Sequence, residues 1–157
     1  MAAEGKNERN FLHLHRLVLE STRVLRAKFD IFVPPGTIKT WLPSDKDLKN
    51  KAKLTDKQIR HIRQHQTSEK FDISLLTSLL RHFCYKADLR NPLWDESDNS
   101  KLLPSQTQEI ADIVRIRNLR NEVCMICKHF IKNIYCTCTR KVSVSVCVCL
   151  FKIVCLL

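Results

Sequence analysis

The stretch Ser105–Val123, SQTQEIADIVRIRNLRNEV, repeats apolar residues every three or four positions. Ile110, Ile113, Ile116, Leu119 and Val123 would share one side of a helix. A helix with one apolar stripe has to bury it against other elements. Ser105 stands three residues before Gln108, a capping-box spacing that predicts the helix start. Glu109 and Asp112 then place negative charge at the positive end of the helix dipole. Arg115, Arg117 and Arg120 crowd the turns that follow.

Two further stretches carry the same period. From Asn10 to Phe32 the apolar positions are Phe11, Leu14, Val18, Leu25, Phe29 and Phe32, with Ser21 and Thr22 in the gap. Pro34-Pro35-Gly36 ends that helix, because proline removes a donor and disfavours α geometry in the residue before it. Residues 1–7 are polar and read as a frayed start. In Phe71–Cys84, FDISLLTSLLRHFC, Asp72 can cap a helix that holds Leu75, Leu76, Leu79, Leu80 and Phe83. It is the most apolar of the predicted helices and belongs at the centre. Only two glycines occur in the 157 residues. The expected fold is all-α, an up-and-down bundle of four or five helices over residues 8–123.

The connecting segments are legible too. Thr37–Pro43 is a connector, with Trp41 as a lid on the edge of the core. Ser44 offers an N-cap to a short, very basic helix running through Lys53. Thr55 and Gln58 repeat the capping box and open a helix to about His65. Residues 86–104 read as a loop holding Pro92, Trp94 and the acidic residues Asp95, Glu96 and Asp98.

Residues 124–157 differ in kind. They contain five Lys or Arg, no Asp or Glu, and seven of the eight cysteines. Met125, Ile126, Phe130 and Ile134 keep a helical period, after which KVSVSVCVCL alternates with period two. A repeat of G and T read in frame encodes alternating Val and Cys. Residues 124–157 therefore read as a gene-model artefact, in which the helix can run on through Ile134 and residues from about 135 onward should not pack with the domain.

RIRNLRNEV resembles the signature helix of the HEPN domain found in the DAZ-interacting zinc-finger type of ubiquitin ligases. The LHRL, TRVLR and FD…PP segments of the first helix, and FDISLLTSLLRHFC, are similar to the same family. The resemblance implies an RNA-associated or protein-interaction module, with a homodimer through the Arg120 helix as one arrangement. In active relatives the helix carries an Arg, often a polar neighbour, and a His a little further on, and the pair cleaves RNA at a dimer interface. Arg120 and Asn121 match the first half of that motif. The chain then reads Cys124-Met125-Ile126, and Ile126 stands where the family would keep its His. The next His is His129, nine positions after Arg120 and, at about 100° per residue, roughly on the opposite face. General acid–base chemistry needs a group within reach of its proton, which isoleucine cannot supply.

Three readings of function follow. The first is a non-enzymatic HEPN module that binds RNA or a partner protein, a fragment of a larger multidomain protein. Arg115, Arg117, Arg120, Lys49 and Lys53 are the candidates for RNA contact. The net charge of +11 suits a phosphate backbone, but the basic run lacks interleaved aromatics for base stacking. The second is a metal-independent endoribonuclease whose catalytic His is missing from the chain. The third is a zinc-binding adaptor using Cys124, Cys127, Cys136 and Cys138, although the second pair is spaced too tightly for the usual knuckle. His61 and His65 share a helix face, but Ile62 stands where a zinc protease needs Glu, so they read as surface histidines. No cofactor is expected. Val142–Leu157 is too short to span a bilayer, and no secretory signal opens the chain, so the expected location is cytoplasmic.

Overall fold

The computed structural model describes residues 2–106 and 108–137. Among the described residues there are six α-helices and no strand. They are α1 (Ala2–Phe32), α2 (Ile38–Trp41), α3 (Asp45–Asn50), α4 (Asp56–Gln64), α5 (Ile73–Leu79) and α6 (Glu109–Thr137). α2 and α3 are short, under two turns each, so the bundle rests on α1, α4, α5 and α6. The fold is the predicted all-α bundle.

α5 sits at the centre. Asp72 caps it, its carboxylate accepting from the Leu75 amide at 2.7 Å. Leu75, Leu76, Leu79 and Leu80 are all buried. α5 then widens into a π turn over Leu80–Cys84, closed by the Tyr85 amide donating to the Leu80 carbonyl at 2.8 Å. The extra residue in that turn shifts the helical phase. Phe83 stays in the core, while Cys84 is only half-buried.

α1 and α6 both pack on this central helix and on each other. Lys28, near the end of α1, forms an ion pair with Glu109, the first residue of α6. Val18, Leu25 and Phe29 of α1 share one core with Ile110, Ile113, Val114 and Val123 of α6. Thr22, which interrupts the apolar stripe of α1, is buried as well. Its hydroxyl donates to the Val18 carbonyl at 2.7 Å, which satisfies the polar group within its own helix. Trp41 covers the core edge as expected, half-buried and edge-on to Phe29 at 5.6 Å and to Phe83 at 6.3 Å. The capping box at Thr55 and Gln58 is formed, and Ser44 caps α3.

Several boundaries differ from the sequence reading. α1 begins at Ala2 instead of near Asn10. α3 stops at Asn50, and Lys53 takes a left-handed backbone with φ 55°, so the basic segment is not one helix. α6 begins at Glu109, so Ser105 lies four residues before the helix instead of at its start. Residues 103–106 make a β-turn around Pro104 instead, closed by the Gln106 amide on the Leu103 carbonyl at 2.9 Å. The buried face of α6 also sits slightly off the predicted stripe. Ala111, Val114 and Asn118 are buried, whereas Ile116 and Leu119 are half-buried. α6 continues without a break across Val123 to Thr137, following the helical period of Met125 and Ile126. The alternating segment around Val142–Val148 lies outside the described residues.

Candidate functional site

The segment predicted as a loop, 86–104, is a chain of short 3-10 turns laid along α6. Trp94 pins it, fully buried, with its indole N–H donating to the Asp88 carbonyl at 3.0 Å. Arg81 of the π turn lies 5.8 Å from the Trp94 ring and pairs with Asp95 at 2.8 Å.

Two of the candidate arginines hold this segment. The Arg117 guanidinium donates to the Trp94 carbonyl at 2.6 Å and the Glu96 carbonyl at 2.5 Å. Burial pushes its pKa below the ordinary arginine value, and the nearby Arg81 charge acts in the same direction. The buried Asn118 accepts from Arg117 and donates to the Glu96 carbonyl at 3.1 Å and to Asn99 at 3.2 Å. Arg115 donates to the Leu103 carbonyl at 2.7 Å, to the Gln106 carbonyl at 3.1 Å and to Asp112 at 2.6 Å. Both guanidiniums are therefore engaged with carbonyls that no helix satisfies.

The half-motif stands further along α6. Arg120 is half-buried and donates to the exposed Asn121 side chain at 3.1 Å. Beyond it the outer face turns apolar, with Met125 66% and Ile126 55% exposed. Ile126 occupies the place where the resemblance puts a His, and it presents a hydrocarbon surface there.

The other candidates are dispersed. Lys49 pairs with Asp56 at 2.9 Å, and Lys53 is exposed on the turn after α3. In the same basic run Lys51 pairs with Asp47 and Arg63 with Asp45. Cys124 is half-buried on α6, and Cys127 and Cys136 fall on the same helix. Cys138 lies outside the described residues. Among the described residues, no group of three or more His, Cys, Asp or Glu is placed to hold a metal ion. None of the described helices is long and apolar enough to cross a membrane. The His61 ring donates from Nε2 to the Lys70 carbonyl at 2.9 Å, and the His65 ring lies against it.

Sequence reasoning missed a polar junction at the α1–α5–α6 corner. The Tyr85 hydroxyl donates to Glu109 at 2.6 Å, and Lys28 bonds the other oxygen of that carboxylate. Lys28 and Tyr85 hold the Glu109 carboxyl below its ordinary pKa, while burial and then the hydrogen bond to Glu109 raise that of Tyr85. The only hint in the sequence was an acidic residue at a helix start.

The profile of the DZIP3/hRUL138-like HEPN family matches residues 35–136. That span takes in α5, the Trp94 segment and α6, and begins just after α1. No curated protein and no solved structure matches the chain. With the matched span covering most of its length, the chain belongs to the DZIP3/hRUL138-like HEPN family.

Proposed function

We propose that the chain is a non-enzymatic HEPN module that binds protein through the outer face of α6 around Arg120, with a second copy as the partner. The observation that carries this reading is the exposure of Met125 and Ile126 one turn beyond the exposed Asn121 and Glu122. A flexible methionine and a branched aliphatic open to solvent are an apolar surface of the kind that a partner covers. A two-fold interface sets the same patch on both copies, so one exposed apolar face suffices. The non-enzymatic part rests on Ile126, which offers no proton to a reacting group.

RNA binding is the second reading, favoured by the net charge of +11. Its strongest contributors would be Arg120 and Lys53. Against it, Arg115 and Arg117 already hold loop carbonyls, and Lys49 already has a carboxylate. A tagged copy of the full chain should retain an untagged copy, and Met125→Glu should weaken that retention while leaving the helical signal unchanged. Retention as strong with Met125→Glu as with the unmodified chain would refute this use of the α6 face. Tight, salt-sensitive binding of single-stranded RNA by a chain that does not self-associate would favour the second reading.

A further inference from the structure

α1 shows the core one face and leaves another open. On the open face Leu17, Val24 and Ile31 are 47%, 60% and 71% exposed. They stand seven residues apart, with exposed Ala27 between the last two. A seven-residue step on an α-helix returns to within about 20° of the same direction, so these side chains form a straight row. Such a row is the seam along which one helix packs on another.

We propose that this face of α1 pairs with the same face of a second copy, antiparallel, about a two-fold axis at Val24. Residues equally far from Val24 then come level across the axis. Leu17 meets Ile31 of the other copy, and Glu20 meets Lys28. Each pairing occurs twice. Glu109 of the same copy fixes the Lys28 ammonium at the edge of the row. Arg23, nearest the axis, is held by Glu20 of its own helix at 3.0 Å, which tempers its approach to its own symmetry mate. The parallel alternative sets Arg23 beside Lys28 of the other copy at the flanking positions, like charge against like, and so is disfavoured. The row spans about 21 Å of helix at 1.5 Å per residue, a smaller contact than a standard interface. The association is accordingly concentration-dependent.

This pairing uses α1 and is independent of the α6 face. The test is sedimentation equilibrium of the full chain over a range of concentrations, with Val24→Glu, Val24→Lys and Met125→Glu variants checked for unchanged helicity. Val24→Glu places two carboxylates together on the axis and should lower the average mass, by up to two-fold where the pairing is complete. Mixing Val24→Glu with Val24→Lys should restore the mass, which a merely misfolded variant would not do. If Val24→Glu leaves the mass unchanged while Met125→Glu lowers it, the α1 pairing is wrong and the α6 reading stands. If only Val24→Glu lowers it, the reverse holds. A chain that stays monomeric at every concentration overturns both.

Discussion

Replacing Arg117 by methionine keeps an unbranched apolar stem and removes the guanidinium. The Trp94 carbonyl then loses its 2.6 Å donor. The Glu96 carbonyl keeps a donor, because Asn118 still reaches it at 3.1 Å. The Asn118 oxygen loses both of its Arg117 contacts. Leaving a buried acceptor without a donor costs about 1–3 kcal/mol. The variant also escapes the burial that lowers the Arg117 pKa, which returns part of that cost. The expected net loss is about 2 kcal/mol. Urea unfolding at neutral pH, followed by the helical circular dichroism signal, measures it directly. A change below about 0.5 kcal/mol, the range of ordinary surface substitutions, would refute the account of Arg117 as the clamp on the Trp94 segment.

Leu79→Ala should cost about 2–5 kcal/mol in the same assay, since the side chain is fully buried at the centre of the bundle; a near-neutral result would contradict that placement. Stability should also fall as the pH drops below about 6.5, the ordinary histidine value. Burial, followed by the Arg81 and Lys53 charges, holds the His82 pKa below that value, so the unfolded chain takes up the proton first. The contribution is fully present above the ordinary value and is lost as the pH falls through the depressed folded value. His82→Gln should flatten the urea midpoint between pH 7 and pH 5, and an unchanged slope would remove His82 as its source. The Cys84 thiol, pushed up to about 12 by burial, should alkylate slowly at pH 7 when followed by peptide mass mapping. Rapid modification of Cys84 in the folded chain would contradict that burial.

The parts of the fold that depend on local pattern were legible in the sequence. The apolar period of Phe71–Cys84 placed the central helix, and the Thr55–Gln58 spacing marked a cap that is formed as read. The start of α6 was misplaced because Ser105 satisfies a capping pattern equally well inside a β-turn, and Pro104 decides in favour of the turn. The π turn after Leu79 carries no sequence signal, and it alters which residues of that helix face inward. The roles of Arg115 and Arg117 were the least legible. An arginine that holds a loop carbonyl more than 20 residues away reads the same as one waiting for a phosphate. Only the packing of the Trp94 segment on α6 distinguishes them. Arg120 and Asn121 were found by resemblance, and the apolar surface beyond them became apparent only with their exposure.

The claim on which the account turns is that this HEPN module binds and does not cut. The most direct measurement is incubation of the full chain with end-labelled single-stranded RNA in the presence of a chelator, resolved by gel, alongside Arg120→Ala. The account predicts intact RNA in both lanes, because Ile126 stands where the general acid–base group is needed. Cleavage by the unmodified chain that disappears in Arg120→Ala would contradict it.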